Sequence, residues 1–154
     1  MLDADSPSLT LTRRIAAPPA RVFAAWTEPR LIARWWQPKD LLEDGLQAEV
    51  DLRVGGRYRI VMHATDGETL DVGGEYREIE PGRRLVFTWA WHSTPERVSL
   101  VEVRLDADGA GTLLTLTHER FFDAQARDRH VDGWTTTLAR LAVLFDPAAA
   151  ALSV

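Results

Sequence analysis

The sequence predicts one α+β domain in which a curved, seven-stranded antiparallel sheet is wrapped around a long C-terminal helix. Apolar and polar residues alternate through most of the stretch from Leu46 to His118, which is the period of β-strands. Short turns interrupt this stretch, so neighbouring strands are expected to pair as hairpins. Apolar residues then recur every three or four positions from Val131 to Phe145, as on one face of a helix. A sheet with one apolar face needs a cover, and this last helix is long enough to provide it.

The N-terminal part of the chain carries one strand and two short helices. Residues 8–16 alternate between apolar and polar side chains, which predicts a half-buried strand. Pro19 suits the first turn of a helix over 19–27. A second short helix is expected to start at Glu28-Pro29 and to end at Pro38.

Six further strands follow, and turn-forming residues separate them. The predicted strands are 46–53, 56–63, 69–80, 83–91, 97–106 and 111–119. The breaks are Gly55-Gly56, Asp66-Gly67, Pro81-Gly82, Thr94-Pro95-Glu96 and Asp108-Gly109. Gly73-Gly74 lies inside a strand, which predicts a bulge or a close backbone approach.

Asp123 is expected to cap the last helix, which Asp146-Pro147 ends. The element order is therefore β-α-α-β6-α. Residues 8–146 form the predicted domain, preceded by a flexible N-terminus (1–7) and followed by a tail (147–154).

Composition excludes several classes of function. The 154 residues carry 18 Lys and Arg against 23 Asp and Glu, a formal net charge of −5, so we expect no nucleic-acid binding. The absence of cysteine excludes disulfides, thiolate metal sites and a cysteine nucleophile. Neither a signal peptide nor a membrane-spanning run is apparent, which predicts a cytoplasmic protein without membrane insertion. The four histidines fit no metal-binding spacing, and we expect neither a metal nor a cofactor.

Six tryptophans are the most unusual feature of the composition. Phe87, Trp89 and Trp91 share one face of a predicted strand, and Trp134 lies on the apolar stripe of the last helix. These aromatic residues either line a pocket for a flat or apolar ligand or simply fill the core. Core packing is the preferred interpretation for Trp89, and both remain open for Trp91.

The chain also resembles a known family. The matching stretches run in the family's order across residues 9–146: Val22-Phe23-Ala24-Ala25-Trp26-Thr27-Glu28-Pro29, Trp35-Trp36-Gln37-Pro38, Asp51-Leu52-Arg53-Val54-Gly55-Gly56-Arg57-Tyr58, Gly74-Glu75-Tyr76-Arg77-Glu78-Ile79, Arg84-Leu85-Val86-Phe87-Thr88-Trp89, Thr115-Leu116-Thr117-His118-Glu119 and Asp128-Arg129-His130-Val131-Asp132-Gly133-Trp134. They resemble the bacterial homologues of the heat-shock protein 90 ATPase activator, within the START-like (SRPBCC) superfamily. The resemblance implies the helix-grip fold, and the family name suggests a link to chaperones and the stress response. Superfamily members bind lipids, hormones and polyketides, or catalyse steps such as cyclisation, and fold alone does not decide between these.

The candidate ligand-binding residues are those expected to face the space between the sheet and the last helix. They are Trp36, Tyr58, Ile60, Tyr76, Phe87, Trp89, Trp91, Leu116, His118, Trp134 and Leu138. His118 follows the inward-facing Leu114 and Leu116 by period two, which directs its imidazole toward Trp134. The imidazole could act as a base or bind an acidic ligand, but a structural role at the strand-to-helix corner is preferred.

Arginines on the sheet have two possible roles. Four arginines, at positions 57, 59, 97 and 104, are expected on the outer face, where glutamates 75, 78 and 102 would pair with them. An arginine at the rim of a cavity could instead hold a ligand carboxylate, and Arg53 and Arg97 are the candidates.

The sequence favours a binding module for a small apolar or aromatic molecule, of unknown identity. The first alternative is an enzyme of the cyclase, lyase or hydrolase type that pairs His118 with Tyr58 or Tyr76. The second is a chaperone partner that uses an outer surface. A homodimer is also plausible, because Leu41-Leu42 and the alanine-rich tail are more apolar than loops usually are.

Overall fold

The computed structural model describes residues 6–147, and the predictions for residues 1–5 and 148–154 lie outside it. The element order agrees with the predicted β-α-α-β6-α. The strands and helices are β1 (Leu9–Ile15), α1 (Pro19–Thr27), α2 (Pro29–Trp35), β2 (Leu41–Val50), β3 (Arg57–Ala64), β4 (Thr69–Glu80), β5 (Arg84–Trp91), β6 (Ser99–Asp108), β7 (Gly111–Glu119) and α3 (Ala124–Leu144).

The seven strands form one curved antiparallel sheet, as the hairpin pattern predicts. Their order is β1-β7-β6-β5-β4-β3-β2, so β1 and β2 are the two edges. Helices α1 and α2 lie between these edge strands in the chain and connect one side of the sheet to the other. The concave face of the sheet is thereby closed by α1 and α2 at one end and by α3 along its length.

Helix α3 begins as expected at Asp123, whose carboxylate accepts a hydrogen bond from the backbone N–H of Ala126 at 2.8 Å. Its buried face is formed by Trp134, Thr137, Leu138 and Leu141. This face packs into the sheet, because strands and helix each have one apolar surface to remove from water.

Strand β2 begins earlier than predicted. Leu41 already pairs with Ala64 in β3, and the register shifts before the pairing resumes at Leu46. Asp44 in this irregular stretch has a φ of 54°, which breaks the alternation that marks a strand in the sequence. Leu41 packs against the core while Leu42 is exposed, so only one of the two leucines is available for a dimer contact.

Gly74 marks a close approach between β4 and β5, as the sequence indicates. A Cβ placed on Gly74 would lie within 1.9 Å of the Thr88 carbonyl oxygen, so no larger residue fits there without a shift of the backbone. The pairing of β4 with β5 changes register just beyond it, between Tyr76 and Glu78. This irregularity lies in the centre of the sheet.

The outer face of the sheet carries ion pairs, of which one between Arg104 and Glu102 at 4.0 Å agrees with the prediction. Arg59 pairs with Asp71 at 2.7 Å, rather than with a glutamate. Arg84 contacts Glu78 at 2.7 Å and Glu102 at 2.6 Å. The prediction named Glu78 and Glu102 but not Arg84, because cross-strand pairing depends on the strand register, which the sequence alone does not determine.

Candidate functional site

A pocket of about 560 Å³ lies between the first half of α3 and the centre of the sheet. Strands β3, β4, β5 and β6 supply its floor, α3 supplies its roof, and four connections form its rim. Its lining residues are Trp36, Pro38, Lys39, Met62, Glu68, Leu70, Trp89, Trp91, Thr94, Arg97, Ser99, Phe121, Phe122, Ala126, Arg129, His130, Asp132, Gly133, Trp134, Thr136 and Thr137. The volume is within the range of roughly 300–1,000 Å³ that is typical of small-molecule sites.

Four tryptophans pack against one another around this pocket. The rings of Trp36 and Trp89 are nearly parallel, with centroids 6.1 Å apart. Trp134 lies 5.1 Å from Trp89 and 5.5 Å from Trp36, and Trp91 lies edge-on to Trp89 at 5.5 Å. Because each ring is held by its neighbours, the aromatic wall is preformed.

The predicted site residues divide into three groups. Trp36, Trp89, Trp91 and Trp134 line the pocket. The second group is Tyr58, Ile60, Tyr76 and Phe87, which surround a separate gap of only about 10 Å³. The third group is Leu116, His118 and Leu138, which are buried and do not line the pocket.

The second group is therefore closely packed. Tyr58, Tyr76 and Phe87 have ring centroids 5.2–6.2 Å apart. Burial raises the pKa of Tyr58 and of Tyr76, so both phenols stay protonated. The Tyr58 hydroxyl donates to the carbonyl oxygen of Thr88 at 2.6 Å. A gap of this size holds at most about one water molecule.

His118 joins the sheet to α3 through both ring nitrogens. Trp134 Nε1–H donates to Nδ1 at 3.0 Å, so Nδ1 carries no proton. The proton of the neutral ring is then on Nε2, which donates to Ser99 Oγ at 2.7 Å. Ser99 in turn donates to the carbonyl oxygen of Trp89 at 3.2 Å. The inward orientation that period two predicts is confirmed, since His118 is fully buried.

This hydrogen-bond arrangement decides what His118 can do chemically. A base that activates a serine needs a free lone pair on the nitrogen that faces the hydroxyl, and here that nitrogen carries the proton. Burial, with a smaller effect of the neighbouring His130, lowers the pKa of His118 well below its ordinary value. The expected pairing with Tyr58 or Tyr76 is wrong, because His118 bonds to Trp134 and Ser99 instead.

His130 is a pocket residue that the sequence analysis missed. Its Nδ1–H donates to the carbonyl oxygen of Ala126 at 2.7 Å, and its Nε2 accepts from Trp91 Nε1–H at 3.1 Å. Burial is the main cause that lowers the pKa of His130, which keeps the ring neutral. The sequence does indicate this position, because His130 lies four residues before Trp134 and residues four apart share one face of a helix.

The rim of the pocket carries most of its charge. The Lys39 ammonium bonds to Asp66 at 2.7 Å and to Glu68 at 2.6 Å. The Arg97 guanidinium lies 3.9 Å from the centroid of the exposed Phe122 ring. Arg53, the other arginine singled out from the sequence, pairs with Asp51 and does not line the pocket.

Residues 6–147 contain no group of three or more His, Cys, Asp or Glu side chains that could hold a metal ion. No helix within these residues is long and apolar enough to cross a membrane.

Comparison with known proteins places this chain in a family. The model of the family described as "Activator of Hsp90 ATPase homolog 1-like protein" matches residues 16–146, which is most of the chain. The chain belongs to this family. Both the order of the strands and the family match agree with the resemblance seen in the sequence.

Solved structures support the membership in the activator-homologue family. Protein CV1439 from Chromobacterium violaceum is 29% identical, with a TM-score of 0.78 over 91% of this chain and 98% of that one. CalU16 from Micromonospora echinospora is 30% identical, with a TM-score of 0.69 over 96% and 82%. Protein NE0264 from Nitrosomonas europaea is 28% identical, with a TM-score of 0.74 over 90% and 93%. No protein with a curated description matches the sequence.

Proposed function

We propose that this protein binds a small apolar or aromatic molecule in the tryptophan-lined pocket. The observation that carries the proposal is a difference in packing between two parts of the protein interior. The aromatic residues around Tyr58 leave a gap of about 10 Å³, whereas those around Trp89 and Trp134 leave about 560 Å³. Protein interiors are usually packed to the density of organic crystals, so an opening of this size next to a closed core favours a binding role.

Gly133 supports the same conclusion. It lies in the interior of α3 on the pocket side, where glycine costs about 1 kcal/mol of helix stability relative to alanine. A Cβ on Gly133 would meet one neighbour, the Pro38 side chain, at an ordinary 3.7 Å. Packing therefore does not require glycine here, and its effect is to leave the pocket deeper.

The lining favours a flat or apolar ligand. Indole rings of Trp36, Trp89, Trp91 and Trp134 present faces and edges on which an aromatic or aliphatic body can pack. The Nε1–H groups of Trp91 and Trp134 are already bonded to histidines, so these two indoles offer mainly apolar contact.

The first test is native mass spectrometry of the purified protein, followed by calorimetric titration with the neutral aromatic probe 1-naphthaleneacetamide. We expect a co-purifying small molecule or one saturable site for the probe. The Gly133→Leu variant, whose side chain would extend into the pocket, is expected to lose this site. Gly133→Ala is the matched control and is expected to keep it, because a methyl group takes up little of the volume. Equal binding by the parent and the Gly133→Leu variant would contradict the proposal.

The alternative functions rest on fewer observations. An enzymatic role would need a base with a free lone pair, and the unprotonated ring nitrogens of His118 and His130 already accept hydrogen bonds from Trp134 and Trp91. A chaperone-partner role draws on the family description, and a pulldown with the bacterial chaperone tests it. Homodimer formation, a role in the stress response and a cytoplasmic location remain predictions from the sequence.

A further inference from the structure

We infer that the ligand of this pocket is a monocarboxylic acid, with its apolar body against the tryptophans and its carboxylate at the rim between Arg97 and Arg129. The inference rests on the proposed function and adds the chemical class of the ligand to it. It is carried by two arginines that line the pocket and form no ion pair among residues 6–147.

Arg97 is held in place without an ion pair. Its guanidinium lies 3.9 Å from the centroid of the Phe122 ring, and both residues line the pocket. A guanidinium stacked on a ring uses its face for that contact, while its N–H groups lie in the plane and remain available. Within the described chain, Arg97 has no carboxylate within 4.0 Å. It is therefore an oriented donor for a bidentate acceptor.

Arg129 lies on α3, whereas Arg97 lies on the connection between β5 and β6. It is one residue before His130 and lines the pocket with it, and its positive charge contributes to the lowered pKa of that histidine. Arg129 likewise has no ion pair among residues 6–147, whereas the nearby Arg127 is paired with Asp128 at 2.7 Å. Arg127 therefore has a carboxylate partner, whereas Arg129, which lines the pocket, has none among the described residues.

The local charge balance favours a single negative charge. Lys39 is already engaged by Asp66 and Glu68, so it contributes little free positive charge to the opening. Asp132 is the remaining acidic residue of the lining and partly offsets the two arginines. Among the residues that line the pocket, Lys39, Arg97 and Arg129 carry three positive charges against the two negative charges of Glu68 and Asp132, a surplus of one on a chain whose net charge is −5. A carboxylate has the charge and the planar, two-oxygen shape that this surplus and these donors suit.

The experiment compares acids with uncharged amides of nearly the same shape. Calorimetric titrations use 1-naphthaleneacetic acid against 1-naphthaleneacetamide, and decanoic acid against decanamide. For the parent protein we expect each acid to bind roughly tenfold more tightly than its amide, which is the order expected of charge-assisted hydrogen bonds at a partly exposed site. The preference should decline with added salt, because the groups at the rim are solvated.

Variants distinguish the effect of Arg97 and Arg129 on acid binding from the effect of removing positive charge elsewhere on the protein. Arg97→Gln/Arg129→Gln is expected to weaken binding of the acids roughly tenfold while leaving the amides unchanged. Arg13→Gln/Arg57→Gln removes the same charge from exposed strand positions outside the pocket and should preserve the preference. Asp132→Asn removes the opposing carboxylate and should strengthen the binding of the acids.

The outcomes distinguish this inference from the proposed function. If acids and amides bind equally and Gly133→Leu abolishes both, the pocket binds ligands but the acid class is wrong. If 1-naphthyl phosphate binds more tightly than 1-naphthaleneacetic acid, the anion is not a carboxylate and the inference fails. If no member of the panel binds and no molecule co-purifies, both the inference and the proposed function are overturned.

Discussion

The indole Nε1–H of Trp134 donates a hydrogen bond to Nδ1 of His118 at 3.0 Å, in the buried space between α3 and the sheet. This bond joins the helix to β7, and the Nε2–H of the same ring continues the connection to Ser99 on β6. One imidazole on β7 thus satisfies polar groups from two other elements, α3 and β6. This chain of three hydrogen bonds ends at the carbonyl oxygen of Trp89, whose side chain lines the pocket.

Replacing His118 is therefore expected to affect stability more than chemistry. In His118→Ala the Trp134 N–H and the Ser99 hydroxyl lose a partner and a cavity forms, which should lower the free energy of unfolding by about 3–5 kcal/mol. Urea-induced unfolding followed by tryptophan fluorescence measures the loss. His92→Ala, at an exposed histidine, is the control and should change stability by less than about 0.5 kcal/mol. A cost below about 1 kcal/mol for His118→Ala would show that the network contributes little.

The two buried histidines should make stability depend on pH. Both have an ordinary pKa of 6.5 when unfolded and a lowered pKa in the folded protein, where burial disfavours the charged form. Between these values the unfolded chain binds more protons than the folded one, so the free energy of unfolding falls as the pH falls below 6.5. The stabilisation is fully present above 6.5 and is lost toward the lowered pKa values. The slope is about 1.4 kcal/mol per pH unit for each histidine that titrates.

Urea unfolding at a series of pH values between about 7 and 5 measures this slope. His130→Gln removes one of the two titrating groups and should make the dependence shallower. His92→Gln, at an exposed position, should not. The carboxylates with lowered pKa values, Asp66, Asp71 and Glu78, have ordinary values of 3.8–4.5 and contribute below this window. A flat profile would contradict the neutral state assigned to both rings.

Much of this arrangement could be predicted from local patterns, and the remainder depends on long-range geometry. Alternation placed Phe87, Trp89 and His118 on the inner face, and all three are buried. The pocket itself could not be predicted, because Phe87 and Trp89 share a face and a period yet adjoin spaces of about 10 Å³ and 560 Å³. The gap beside Phe87 is covered by Trp26 of α1 and Ile32 of α2, whereas the pocket beside Trp89 is covered by α3. His130 was missed for the same reason, since its partner Trp91 is 39 residues away in the chain.

Replacement by alanine should change the free energy of unfolding in opposite directions at Gly74 and at Gly133. Gly74→Ala places a methyl group within 1.9 Å of the Thr88 carbonyl oxygen in the centre of the sheet, so β4 and β5 must separate. We expect a loss of about 3 kcal/mol or more in the free energy of unfolding. Gly133→Ala has space for its methyl group at 3.7 Å from Pro38 and gains helix propensity, so it should be stabilised by about 0.5–1 kcal/mol.

Thermal and urea unfolding of both alanine variants measures these changes side by side. Each variant is the other's control, because the residue change is identical and only the surroundings differ. Destabilisation of Gly133→Ala would mean that the helix cannot accept a methyl group on its pocket side. In that case packing against the helix, and not the depth of the pocket, would account for a glycine at this position.

Phe122 should act on acid binding through Arg97. Its exposed ring supports the guanidinium at 3.9 Å, and an exposed cation–π contact is worth about 0.5–1 kcal/mol. Phe122→Ala frees the arginine side chain, which should lower the ratio of acid to amide affinity about threefold. The ratio is the informative quantity, because Phe122 also lines the pocket and its loss weakens both ligands through apolar contact. Val98→Ala, which shortens an exposed apolar side chain next to Arg97 and outside the pocket lining, should leave the ratio unchanged. If Phe122→Ala leaves it unchanged as well, the ring does not position the arginine, and Arg97 reaches the carboxylate without support.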